Sequence, residues 1–378
     1  MIARLAAWLL LSLACAQAGA AAPCSVWPDW QGFRDKFVSA DGRVVDRGSA
    51  QAVTTSEGQS YALFFALVAN DRAAFDRLLQ WTGNNLAGGD LTARLPAWQW
   101  GKRSDGSWGV IDANAASDAD LWIAYALAEA GRLWQDPRYA ALADLLAARI
   151  LREETDDLPG LGRTLLPGPH GFHNQPGAWK LNPSYAPLQL MQRMAALYPK
   201  SQWQAMPAAS ADLVARSAPL GFAPEWAIYD ARRGFQPDPG THGEGSFNAI
   251  RVYLWAGMLA ADDPRRAALV KRFAPMTAYV VANGVPPATA DAQGGTAADA
   301  GPDGFSAALL PLLRAAGQTD AADKQRLRLV ARRTLDRDDN YYDQVLALFG
   351  LGWDDGQYAF DRDGMLLPRW TCAASPQR

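Results

Sequence analysis

Ser56-Glu57-Gly58-Gln59-Ser60-Tyr61-Ala62-Leu63-Phe64-Phe65-Ala66-Leu67 and, further along, Ser117-Asp118-Ala119-Asp120-Leu121-Trp122-Ile123-Ala124 share one grammar. In each, a serine able to cap a helix stands three residues before a Gln or an Asp, and an apolar run follows. This capping-box pattern predicts two helix starts and puts Glu57 and Asp118 in the first turns of their helices. Two helix starts that face one cleft bring two carboxylates together.

Working outward, apolar residues spaced three and four apart predict about twelve helical segments and almost no strand-like alternation. The segments centre on 29–38, 58–69, 71–82, 118–134, 137–152, 183–197, 201–216, 247–261, 264–281, 303–316, 320–336 and 340–350. Short turns at Asn70-Asp71, Gln135-Asp136, Pro199-Lys200, Asp262-Asp263 and Gly317-Gln318 join them into pairs. The stretches 83–117, 153–182, 217–246 and 282–302 are long and rich in Gly, Pro and Trp, and each precedes the first helix of a pair. Long loops in a compact domain usually carry function. If the first helices run parallel in an inner ring, these loops gather at one end with the helix N-termini. Six antiparallel pairs closed on themselves make an all-α (α/α)6 barrel. The tail beyond Gly352, with Trp353 and Trp370, is expected to wrap back onto the body.

The first 22 residues, with Arg4, an apolar stretch from Leu5 to Ala14 and the small residues Ala18 to Ala22, have the form of a secretory signal peptide. Residues 23–378 then read as a single domain, larger than the usual ~100–200 residues. No later segment is apolar enough to span a bilayer, so no membrane insertion is expected. Cys24 and Cys372, near the two mature ends, are able to bridge in an oxidising compartment or to remain free thiols. The chain carries 36 basic and 39 acidic residues, without blocks of like charge. It thus has no electrostatic footprint for nucleic acid. Fifteen tryptophans, several in polar Gly-rich segments, suit either core packing or the flat faces of sugar rings.

Glu57 and Asp118 are the candidate catalytic carboxylates, a pairing that suits acid–base cleavage of a glycosidic bond. The helix dipole at Glu57 favours the ionised form, so a general acid there needs burial and a nearby anion to keep its proton. Asp118 is the natural anion. Asp120, about 200° around the helix from Asp118, is expected mainly to serve the cap. His170 and His173 share a loop without a third ligand at metal spacing, and no phosphate loop or nucleophile elbow occurs. No metal and no cofactor are expected.

The run from Ala116 to Trp134 resembles the signature of glycoside hydrolase family 8, whose members are inverting enzymes on an (α/α)6 barrel, and SEGQSYAL resembles the family's general-acid segment. CSVWPDW at the mature N-terminus, WQWG at 98–101, NPSYAPL at 182–188 and AIRVYLWAGM at 249–258 are similar to the cellulases encoded beside bacterial cellulose synthases, so the resemblance spans essentially the whole mature chain. It implies that Glu57 is the proton donor and Asp118 the signature carboxylate. Because the family inverts, Asp118 is expected to stabilise the distorted sugar and not to act as a covalent nucleophile. The resemblance also exposes a departure. Many relatives place the general base, an Asp, where this chain has Asn248, and an amide accepts no proton. Glu244 is the first candidate for a displaced base, Asp230 the second, and weak or absent turnover the third alternative. Trp98, Trp100, Trp108 and Tyr185 are candidate sugar contacts, and Arg251 a ligand for Asp118 or a sugar hydroxyl.

The resemblance therefore implies an exported, monomeric endo-β-1,4-glucanase of the periplasm or outside the cell. Its expected partner is a β-1,4-glucan chain, cut as it leaves a cellulose-synthesis complex. A barely catalytic glucan-binding protein, or a chitosanase or xylanase on the same barrel, are the alternatives.

Overall fold

A computed structural model of the chain describes residues 27–173 and 175–371. The expected leader and both cysteines of the expected bridge lie outside these residues. The described residues form α1 (Pro28–Phe37), α2 (Ser56–Val68), α3 (Arg72–Leu86), α4 (Ser117–Leu133), α5 (Pro137–Glu153), α6 (Leu188–Leu197) and α7 (Met206–Arg216). These are followed by α8 (Ile250–Gly257), α9 (Arg266–Arg272), α10 (Ala274–Asn283), α11 (Asp303–Ala315), α12 (Thr319–Ala331) and α13 (Tyr341–Asp354). The inner helices are apolar almost all round: α8 is buried at every position and α2 at every position but Glu57. A helix of that kind has its place in a core. The outer helices bury one stripe, as α5 does with Tyr139, Ala143, Leu146, Ala147 and Ile150.

Helices α2, α4, α6, α8, α11 and α13 pack in succession as an inner ring, with α3, α5, α7, α9–α10 and α12 outside. Phe349 of α13 closes the circle, its ring 4.9 Å from Tyr61 and 4.6 Å from Phe65 of α2. Close approach of the backbones seals the neighbouring seam, where a Cβ on Gly350 would fall 1.9 Å from the Ala307 carbonyl oxygen. The sixth pair is completed by α1, which lies against α13 with Phe33 and Phe37 at 6.1 and 5.7 Å from Tyr341. The architecture is the expected (α/α)6 barrel.

The long loops are not irregular. They hold short antiparallel hairpins: β1 (Thr54–Thr55) with β2 (Ala97–Lys102) and β3 (Trp108–Ala115); β4 (Thr155–Leu158) with β5 (Gly162–Leu165); β6 (Ala178–Leu181) with β7 (Ala227–Asp230) and β8 (Gly234–Pro237); and β9 (Glu244–Gly245) with β10 (Pro287–Asp291) and β11 (Ala297–Ala300). The expectation of almost no strands is corrected here, because two- to eight-residue strands interrupted by Gly and Pro leave too short a period to read. The hairpins join one loop to the next, β6 to β7 and β9 to β10. At the other end, β12 (Tyr358–Phe360) and β13 (Leu366–Pro368) form a floor. Tyr358 and Phe360 lie 5.1 and 6.2 Å from Phe64, and the Trp370 indole donates to Leu67 O at 3.1 Å.

Some helix boundaries also differ. The expected helix 264–281 breaks at Phe273 ahead of Pro275, and 183–197 begins as a single 3-10 turn (Pro183–Tyr185) before α6. The expected serine caps shift by one residue. Thr55, not Ser56, caps α2, accepting from Gly58 N at 3.0 Å, while Ser117 is already helical behind Ala116. Gln59 does not close a capping box. It ties the preceding loop to α3, accepting from Val44 N at 2.6 Å and donating to the Thr82 hydroxyl at 2.9 Å.

Candidate active site

Glu57 and Asp118 occupy the first turns of α2 and α4, adjacent helices of the inner ring, at the end where the hairpins collect. Gly58 makes room behind Glu57 for the Tyr341 hydroxyl, which would stand 2.3 Å from a Cβ at that position. The two carboxyls converge on one guanidinium, that of Arg251. Glu57 keeps 24 % of its side chain exposed, and Asp118 only 2 %.

Arg251, the second residue of α8, reaches across the ring to both. Its Nη1 donates to Glu57 Oε2, to the Tyr61 hydroxyl at 2.8 Å and to Asp118 Oδ2 at 3.3 Å. Its Nη2 donates to the Ser184 hydroxyl at 3.2 Å and to Asn248 Oδ1 at 2.6 Å. Of the two contacts expected for Arg251, the one with Asp118 is present. Burial, and then the charge of Glu57, push the Asp118 carboxyl up to about 8, against the pull of Arg251. Asp118 therefore keeps its proton near neutral pH.

Asp120 does not serve the cap. It points away from the pair and is buried against Glu154 at the end of α5.

Asn248 lies in the turn between β9 and α8, ahead of the helix rather than at its first residue. Its amide nitrogen donates to Glu225 Oε2, and its backbone N donates to Glu225 Oε1 at 2.9 Å. Ser246 N adds a bond to Oε1 at 2.6 Å. The carboxylate that meets Asn248 is thus Glu225. Glu244 is exposed and lines a separate hollow with Thr289 and Asp291. Asp230 accepts from the backbone of Arg232 and Arg233 at 2.9 Å in the β7–β8 turn, and these bonds hold its carboxyl below the usual range.

Aromatic side chains stand in the loops next to the pair, since β2, which carries Trp98 and Trp100, pairs with β1 just ahead of Glu57, and Tyr185 lies near Arg251. On β2 and β3, Trp100 and Trp108 stack 5.5 Å apart, Arg43 lies over both, and Trp108 is half exposed; Trp98 is half-buried on the same strand as Trp100. The Arg251 guanidinium sits 5.7 Å from the Tyr185 ring. Trp226 continues this row, 6.1 Å from Tyr185 and stacked 6.1 Å from Phe172. Beyond it opens a hollow of about 490 Å³ lined by Phe172, Trp179 and Lys180.

The family model for glycosyl hydrolases family 8 matches residues 2–356. The chain belongs to glycosyl hydrolase family 8. Among curated relatives, this glycoside hydrolase is 47 % identical over 364 residues to the endoglucanase of Xanthomonas axonopodis pv. citri, covering 95 % of this chain and 94 % of that one. It is 44 % identical over 370 residues to the endoglucanase of Salmonella typhi, covering 98 % of each. Among solved structures, the endo-1,4-D-glucanase of Vibrio fischeri ES114 superposes with a TM-score of 0.88 at 46 % identity, covering 91 % of this chain and 99 % of that one.

Sequence reasoning missed Tyr61, Ser184, Trp226 and Glu225. Tyr61 lies one helical turn beyond Glu57 and so on the same face, a signal that spacing offers. Glu225 lies in a loop 23 positions from its partner, and no periodicity reaches across such a gap.

Proposed function

We propose that this family 8 enzyme is an endo-β-1,4-glucanase that cuts internal bonds of a glucan chain with inversion. Glu57 gives a proton to the departing oxygen, Asp118 holds the sugar at the cleavage point, and water attacks from the opposite face. The observation that carries this reading is that Glu57 and Asp118, on the tips of adjacent inner helices, share the Arg251 guanidinium. Glu57 is the more exposed of the two, 24 % against 2 %, and so the one that a departing oxygen can meet, and paired carboxyls suit such chemistry. The names of the relatives support the substrate class. Trp100, Trp108, Tyr185 and Trp226 are assigned as sugar platforms. The leader-like N-terminus supports export to the periplasm, where a monomer would trim glucan chains leaving a cellulose-synthesis complex.

A second reading, a glucan-binding protein with little turnover, is motivated by the amide at position 248. Glu57→Gln separates the two. It is expected to cut release of reducing ends from carboxymethylcellulose by about 10²-fold or more, with cellopentaose affinity nearly unchanged. Turnover as fast as the parent's would remove Glu57 from the mechanism, and a parent without measurable turnover would favour the binding protein.

A further inference from the structure

We propose that Glu225 is the general base of this enzyme, accepting a proton from the attacking water beside the Asn248 amide; the proposal rests on the inverting reading above. The Asn248 amide is fixed from both sides. Its oxygen takes a bond from Arg251 at 2.6 Å, and its NH2 group donates to Glu225 Oε2. A continuous chain of contacts therefore runs from Glu57 through Arg251 and Asn248 to Glu225. Glu225 is half-buried, and its backbone N is pinned to Glu244 O at 2.8 Å. The Tyr342 hydroxyl, which donates to Phe247 O at 2.7 Å, has Arg251, Glu57, Glu225 and Asp118 among the charges around it.

The same carboxylate also caps the entry to α8, accepting from the backbone of Ser246, Asn248 and Ala249. Those donors fix the carboxylate in place beside the Asn248 amide. In the reaction a water oxygen lone pair forms the new bond to the anomeric carbon. The glycosidic C–O bond breaks with its electron pair on the departing oxygen, which takes the proton of Glu57. The water's proton passes to Glu225. Glu57 ends ionised and Glu225 protonated, and solvent returns one proton from the second to the first.

A merely structural cap and a base differ in what small anions restore. Glu225→Ala is assayed on an aryl β-cello-oligosaccharide bearing a good leaving group, with and without sodium azide. As a nucleophile that needs no deprotonation, azide is expected to recover turnover at least tenfold and to yield the glycosyl azide of inverted configuration. Glu225→Gln, which keeps a cap acceptor, is expected to lower kcat by about 10²-fold or more, to leave KM within a few-fold, and to lose the acidic limb of the kcat/KM profile. Parent-like kcat in Glu225→Gln would overturn the proposal, as would folded Glu225→Ala that azide does not revive. If Glu225→Gln stays active while Glu57→Gln is dead, only this assignment fails. If both stay active, the inverting reading fails with it.

Discussion

At the scale of single residues the site depends on Arg251. One guanidinium serves five side chains, Glu57, Tyr61, Asp118, Ser184 and Asn248, while itself only 2 % exposed. Only a planar fork distributes donors in that way, and a lysine offers a point charge in its place. Arg251→Lys is expected to lower kcat/KM by about 10²-fold, the scale set by moving catalytic groups ~1 Å. Arg251→Met, which removes the charge, is expected to move the basic limb of the rate profile upward, because Arg251 opposes the rise of Asp118. Kinetics across pH check both effects, and an unchanged limb would show that the cation does not govern the pair. That Glu57 and Asp118 stand in first helical turns was legible because a long apolar run follows each, although the cap of α2 is Thr55 and α4 has no side-chain cap. Glu225 was not, because its contact with Asn248 is made by loop residues that no period relates.

Among the elements, the contact between α4 and α5 carries a buried load outside the reacting groups. Asp120 and Glu154 are both fully buried, and none of their four carboxyl oxygens meets a donor from elsewhere in the described residues. Burial raises both well above ordinary carboxylates, and the charge of Asp118 adds to each. The folded pair therefore keeps protons that the unfolded chain releases near pH ~4. Because the folded-state values lie higher, this contribution to stability is complete below that point and is lost as pH rises through them. Glu154→Gln keeps a donor for Asp120 without the titrating proton. Its melting temperature is expected to fall less steeply than the parent's between pH 5 and 9, measured by circular dichroism. Equal slopes would show that the pair does not titrate in that window. Asp120 illustrates a limit of spacing arguments: the angle to Asp118 excludes a shared face, but it does not say what waits on the other side.

For the whole molecule, closure of the ring is the main structural event. Phe349 is buried among Tyr61, Phe65, Trp122 and Trp255, with centroids 4.6–5.4 Å away. Phe349→Ala is expected to cost about 3–5 kcal/mol, read from the midpoint of urea unfolding, whereas truncating the exposed Leu327 on α12 should leave that midpoint nearly unchanged. The barrel was readable because alternating short and long connections imply paired helices. The rim hairpins were hidden, since their pairing links residues far apart in the chain, such as Ala290 with Gly245. The seam has one more implication. Its wedge, α1, touches Phe65 at the start of the circle and Tyr341 at its end. Among the described residues α1 is the first helix and α13 the last, so the wall is complete only where the two ends of the chain meet, and a polypeptide cut short before α13 would leave Phe33, Phe37 and Phe65 without their Tyr341 and Phe349 neighbours.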